Sequence, residues 1–504
     1  MKRIVMICMI SIFGGCDDFL EETSQNQIRP SLVSDMEKLL SGEGYFDASN
    51  GCLFNYGTEV LTDDIQCGEK MIQDDKPDGQ DAVKERWDRM FCYSVRMFDE
   101  VNTKQRENLD YWFIPYQYIK GCNIVLDYVD DMSGKEDRKA YLKGEAMALR
   151  GFYYLQLVNF FSLPYNYGDP ESNMGVPLKL TSGVTQDKPS RGTVAEVYRQ
   201  IEEDLLKGAE IMGANPQANI LFTRMNSLAA YGFTTRMYLY MEEWDKVIQY
   251  ADSVLNNKST LLQFSDVEAD EDAFPDGGVY NPNTPGEILW AGYMNDAMKM
   301  YSALHYKAAF LPSDALVNVY GEDVDGGRDL RATGVAEAFS YLMEGSKTGV
   351  TEKWIATIRK GGSSYEYGGG IRTAEVFLNR AEAYIRKYIE EGSVTYAQKG
   401  LDDLNILRRS RFSNDYVDKK LSQFVNPEEL LEFCLRERRR ELPHEGNLRW
   451  FDLRRNGMPR IEHEFFYEGQ EHNTYVLEEK DPRYVLPLPE TVLRRNSNLV
   501  QNEY

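Results

Sequence analysis

The residues best equipped for chemistry in this chain lie near its C-terminal end, in the stretch RERRRELPHEGNLRWFDLRRNG. Seven arginines, Arg436, Arg438, Arg439, Arg440, Arg449, Arg454 and Arg455, fall within twenty residues. A cluster of this kind either meets phosphates on a nucleic acid or forms ion pairs that lock helices together. The chain carries a formal net charge of −24, and a field of that sign repels a phosphate backbone at long range. Ion pairing is therefore the better reading. Asn426-Pro427-Glu428-Glu429 has the composition of a helix start: an N-cap, a proline at the first helical position and carboxylates in the first turn. From there an apolar face runs through Leu430, Leu431, Cys434, Leu435 and Leu442, and at helical spacing Arg438 falls on it. A buried guanidinium needs a partner, and Glu441, Glu445 and Asp452 lie within sequence reach. Arg436, Arg439 and Arg440 are expected to face solvent or acidic neighbours. LRWFDLRR is expected to form a second short helix that packs through Trp450, Phe451 and Leu453.

Other constellations are sparse. In GEDVDGGRD, the spacing of Asp323, Asp325 and Asp329 suits calcium, but the full EF-hand pattern and its distal Glu are missing, so no metal is expected. The histidines His305, His444, His463 and His472 form no HExxH and no compact ligand set. There is no Gly-x-Ser-x-Gly and no P-loop, and no cofactor is implied. A glycosidase needs only two carboxylates at the right separation. With 81 acidic residues, the sequence leaves a surface glycoside hydrolase open as an alternative.

A chain of 504 residues is too long for one ordinary core and implies several domains or a repeat array. Helical periodicity marks residues 105–131, 135–162, 193–213, 223–241, 244–257, 373–391, 395–411 and 427–442, in pairs joined by short polar loops. SLAAYGFTTRMYLYMEEWDKVIQYADSVLNN sets Ala229, Ala230 and Gly232 before Tyr238 and Trp244. Small residues let helices approach and large aromatics fill the groove beside them, as in a degenerate tetratricopeptide unit. The reading is mainly α, a scaffold of stacked helical pairs. Residues 45–104 and 258–372 are instead rich in Gly, Asp, Asn and Pro, with EILWAGYM as a short strand that puts Trp290 in the core. Long irregular stretches on a rigid frame usually carry binding residues. The 33 tyrosines suit helix packing first, and sugar or peptide binding second.

The N-terminus, MKRIVMICMISIFGGCDDFLEE, has a basic start, a short apolar run and a small-residue approach to Cys16. Residues 1–15 read as a lipoprotein signal peptide and Cys16 as the lipidated first residue of the mature chain. Two or more acyl chains give stable anchoring, and no later stretch approaches 18 continuous apolar residues. Cys52, Cys67, Cys92, Cys122 and Cys434 remain; they show no CxxC, and buried free thiols are expected, with one bridge among the first four still open.

RRELPHEGNLRWFDLR resembles the C-terminal signature of the SusD/RagB family, matching at Arg439, Arg440, Glu441, Leu442, Glu445, Gly446 and Arg449 through Arg454, and departing at Pro443 and His444. GEAMALRGFYYLQLVNFFSLPY, IRTAEVFLNRAEAYIRK and YVLPLPETVLRRNSNLVQNEY are similar to other family segments in the same order. The resemblance implies one SusD-like unit over residues 16–504. Its helical scaffold is expected at about 16–44, 105–257 and 373–450, its irregular binding lobe at about 45–104 and 258–372, and a C-terminal segment at 451–504. It further implies a non-catalytic, lipid-anchored outer-membrane protein at the cell surface, where it captures oligosaccharides for a SusC-like TonB-dependent transporter. A peptide ligand or an adaptor role are alternatives.

A sugar needs a flat aromatic against its C–H face and polar groups at its hydroxyl rim. The family supplies no transferable ligand motif, so candidates come from the irregular regions. They are Trp87 in KERWDRMFCY, Tyr56 in CLFNYGTE, Asp63 and Asp64 in LTDDIQ, and Tyr280, Tyr293 and Tyr301. Tyr365 and Tyr367, in GGSSYEYGGG, are expected on a flexible glycine loop.

Overall fold

The computed structural model of the chain describes residues 30–46, 54, 57–67, 87–99, 111–184, 188–266, 279–280, 286–293, 310–323, 326–331, 367–465 and 473–504. Within them the helices are α1 (Val33–Leu39), α2 (Phe113–Tyr128), α3 (Glu136–Phe161), α4 (Val194–Ala214), α5 (Ser227–Met241), α6 (Trp244–Leu255), α7 (Asp314–Val319), α8 (Thr373–Glu391), α9 (Val394–Arg411), α10 (Pro427–Glu441), α11 (Leu448–Arg455) and α12 (Glu490–Arg495). The architecture is mainly α, as the periodicity predicts. Side-chain caps fix several boundaries. Thr193 and Glu196 form a reciprocal capping box on α4, Asn226 accepts from the Ala229 amide at 3.0 Å, and Asn426 accepts from the Glu429 amide at 2.8 Å. The Asn226 cap is why α5 begins at Ser227 and not at the predicted 223. At its far end Glu242 takes φ 61°, and the chain turns at once into α6. Pro443 follows the last turn of α10, which stops at Glu441 as its missing N–H requires.

Helical pairs stack through small residues. A Cβ on Gly144 of α3 would lie 2.8 Å from the Gly208 carbonyl oxygen of α4, and one on Gly208 would lie 2.7 Å from that of Gly144. The two backbones therefore meet at this crossing. Gly400 of α9 sits as closely on Ala381 and Ile385 of α8. Gly232, expected at a helix pairing, instead receives Ile371 and Leu289 from the strands beside α5.

Among the described residues three two-stranded antiparallel sheets flank the helices. β1 (Ile65–Cys67) pairs with β3 (Phe310–Pro312), β2 (Ile288–Tyr293) with β4 (Tyr367–Arg372), and β5 (Ile461–Phe465) with β6 (Asn473–Leu477). Trp290 of β2 is buried against Phe46, Phe152 and Phe233, as read from the sequence. Tyr367 and the glycines after it form β4 and not a free loop, because a Cβ on Gly370 or Gly292 would strike the opposite strand. Tyr365 lies outside the described residues. Cys92, Cys122 and Cys434 are free thiols, Cys67 is buried in β1, and Cys52 lies outside the described residues. Among the described residues no helix is long and apolar enough to cross a membrane.

The C-terminal segment closes the molecule over the scaffold. Asn502 donates to the carbonyls of Leu486 (2.8 Å) and Phe161 (3.1 Å) and accepts from Arg191 (2.8 Å), while Gln501 exchanges two hydrogen bonds with the Leu488 backbone.

Candidate functional site

The arginine stretch builds a buried polar assembly between α8, α10 and α11. Arg438 lies buried on α10, as its place on the apolar face requires. It donates to Asp452 of α11 at 2.6 Å and to Asn379 of α8 at 2.7 Å. Asp452 also accepts from Arg455 (2.8 Å), which chelates Glu382 of α8 through both terminal nitrogens (2.6 and 2.8 Å). Burial pushes the Glu382 carboxyl up, but Arg455 outweighs it and leaves Glu382 at about 2.

A second, larger network uses arginines that no sequence pattern marked. Arg372, at the end of β4, donates to Glu287 (2.7 Å), Glu441 (2.5 Å) and Glu445 (2.7 Å). Arg411 of α9 bridges Glu287 and Glu441, each at 2.9 Å, and Arg331 reaches Asp329, Glu437 and Glu441. Arg408 joins Glu437 at 2.5 Å. Against the cost of burial, these guanidinia hold Glu437 and Glu441 well below the usual carboxylate range. Glu287, Asp329 and Arg331 come from the irregular region 258–372. The network thus pins these residues of that region to α9 and α10.

Three arginines depart from or refine the expectation. Arg440 meets acidic neighbours, one of its two expected surroundings, and not solvent. It is fully buried, and donates to Glu437 (3.1 Å), Asp323 (2.7 Å) and the Val319 carbonyl (2.7 Å). Its side chain reaches across to the loop after α7, which shields it. Arg436 meets the same Asp323 at 3.0 Å. Arg454 has no carboxylate partner among the described residues. It caps the carbonyls of Asn159 and Ser162 at the end of α3, and burial lowers it to about 10.

The ligand candidates fall into this frame in a way the sequence did not indicate. Trp87 is 3% exposed, and a Cβ on Gly57 would lie 2.8 Å from its ring. The short helical turn at 87–91 buries Trp87, Met90 and Phe91 together, so the expectation of a surface-displayed ring is corrected. Tyr280 is likewise buried, its hydroxyl donating to Glu445 at 3.0 Å. Asp64 is buried and accepts from Arg439 at 2.6 Å. Asp63 receives both arms of Arg449 (2.8 and 2.7 Å) and keeps 30% of its side chain exposed. Burial would raise its pKa, but Arg449 and Arg439 bring it to about 2. Tyr293 closes β2 opposite Tyr367. Tyr56, Tyr301 and Cys16 lie outside the described residues. So do Asp325, His305 and His472, while Asp323 and Asp329 are engaged by arginine. Among the described residues no group of three or more His, Cys, Asp or Glu is arranged to hold a metal.

These carboxylates act as fixed anions. Glu382, Glu437, Glu441 and Asp63 are held below the usual carboxylate range by the guanidinia beside them. The arrangement positions loops. Of the candidates placed with their side chains, only Asp63 with Arg449 and Arg439 presents a polar face toward solvent.

Comparison with known proteins gives the assembly a context. Residues 18–239 match a SusD-like family model described as starch-binding, associating with outer membrane, and residues 302–504 match the SusD family model. A curated relative, SusD-like protein P2 of Formosa agariphila, is 24% identical over 432 residues, 78% of this chain and 79% of that protein. Among solved structures, a SusD superfamily protein from Bacteroides thetaiotaomicron superposes with a TM-score of 0.67 at 22% identity, covering 94% of this chain and 98% of that one. A putative sugar binding protein from Bacteroides vulgatus gives 0.67 at 22% identity, with 94% and 99% covered. The two family models follow one another along the chain in the order of the sequence motifs, and the scaffold is the fold of those solved structures; the chain belongs to the SusD/RagB family.

Proposed function

We propose that the protein is a non-catalytic, lipid-anchored receptor of the outer cell surface that captures oligosaccharides and passes them to a SusC-like TonB-dependent transporter. The observation that carries this reading is the run of two SusD family models over residues 18–239 and 302–504, one of them described as starch-binding and outer-membrane associated. The approach to Cys16 supports the anchor. The buried network supports the binding role: it holds Glu287, Asp329 and Arg331 of the irregular region against α9 and α10, so that ordering those points need not be done at the expense of ligand affinity. In this reading Asp63 stands at the rim of the site, and Tyr56, Tyr293 and Tyr301 remain its aromatic candidates.

Calorimetry of the chain from residue 17 onward against a panel of oligosaccharides and peptides tests the binding role. Heat from a glycan supports it, and silence across every glycan rejects it. Labelled palmitate should enter the full-length protein and not the Cys16→Ala variant. Pull-down from solubilised outer membranes should recover a barrel transporter.

A further inference from the structure

Charge is divided in this protein so that its irregular regions are acidic and their neighbouring cations are turned inward. Residues 45–104 and 258–372 together hold 30 acidic and 17 basic residues, a net charge of −13 out of −24. The candidate rim lies in the first of them. There Asp63 keeps 30% of its side chain exposed, and Arg449 and Arg439 hold it at about 2. The group offered to solvent is therefore a carboxylate, and it stays an anion at neutral pH.

The cations beside it are engaged within the fold. Both arms of the Arg449 fork close on Asp63, at 2.8 and 2.7 Å. Arg439 donates to the Asp64 carboxylate at 2.6 Å and to the Asp63 carbonyl at 3.2 Å. In the irregular regions themselves, Arg331 is enclosed by Asp329, Glu437 and Glu441, and Arg372 by Glu287, Glu441 and Glu445. Lys258 donates to the Ile288 carbonyl at 2.7 Å. A carboxylate or sulfate on a sugar is gripped by an open guanidinium fork or an available ammonium. In each of these four arginines the fork is already closed on an acid or a carbonyl.

We infer, resting on the reading of the protein as a surface glycan receptor, that its ligand is an uncharged saccharide and that it discriminates against uronate and sulfated sugars. An anionic sugar approaches against the field of an acid-rich face. Once bound, it sets its charge beside Asp63 with no cation released to answer it. A neutral sugar meets neither cost. Its hydroxyls donate to the solvent-facing side of Asp63 in charge-assisted hydrogen bonds, and its C–H face is left for an aromatic ring.

Calorimetry of the chain from residue 17 onward tests this against neutral gluco-, manno- and galacto-oligosaccharides, each paired with its C6-oxidised uronate and its sulfated form. A neutral member should bind with the same affinity at about 50 and about 500 mM salt. Its charged forms should bind at least about tenfold more weakly at the lower salt, and the gap should narrow at the higher one. Asp63→Asn opens the Arg449 fork and should narrow the gap at low salt, with the fold checked by circular dichroism. If that variant does not fold, the salt series on the wild type decides. A charged form that binds as well as its neutral parent or better, with or without added calcium, overturns the inference. So does a gap that neither salt nor Asp63→Asn changes. Silence toward every glycan rejects the receptor reading and the inference with it, a result distinct from a preference for charged sugar.

Discussion

Arg438 shows how a single residue ties composition to structure. Its position on an apolar helix face demands burial, and burial demands the Asp452 carboxylate at 2.6 Å and the Asn379 amide oxygen at 2.7 Å. Arg438→Ala leaves Asp452 buried with less compensation, so a loss of about 3–5 kcal/mol is expected in urea unfolding. Arg438→Lys should recover little of it, because a point charge cannot reach two partners in the fork geometry. The acid side of the stability curve belongs at this scale too. Glu382 and Asp63 are each held at about 2, below their ordinary values. Their contribution is therefore present above about pH 4.5 and is lost as the pH falls toward 2. The unfolding midpoint, followed by circular dichroism, should be steady from pH 6 down to about 4.5 and then drop. Glu382→Gln should shrink that drop.

Elements in this protein are held by two devices, end caps and small-residue crossings. Asn426→Ala removes the acceptor for the Glu429 amide and should cost about 1 kcal/mol, with α10 fraying first in amide exchange. The Gly144–Gly208 crossing is less forgiving, because each glycine faces the other's backbone oxygen. Gly208→Val must push α4 away from α3, and a loss of about 3 kcal/mol or failure to fold is expected by thermal melting. At Gly213, where a Cβ would meet only Ser227 at 3.2 Å, alanine should be tolerated. Periodicity marked these helices because their apolar faces repeat, and the caps and Pro443 trimmed the ends. The strand β4 went unread: its glycines suggest a loop, and only the close approach of β2 explains them.

At the scale of the molecule, segments far apart in the chain depend on one another. The last residues fasten α3 to the loop before α4 through Asn502 and Arg191. Removing residues 496–504 should lower the melting temperature by several degrees, a shift of roughly 2–4 °C for each kcal/mol lost. The buried network does the same for the irregular region, since Glu287, Arg331 and Arg372 meet α9 and α10 only in the folded state. The amino-acid sequence by itself determined the helical class, most helix boundaries, the burial of Arg438 and Trp290, and the family. All of these rest on local periodicity, capping and contiguous motifs, which fold alongside their own neighbours. Tertiary structure alone decided that Trp87 and Tyr280 are core residues, and that Asp63 and Asp64 answer arginines nearly four hundred positions away. A residue's exposure and its charge partner depend on which distant segments the fold delivers to it, and no spacing within one stretch of chain encodes that.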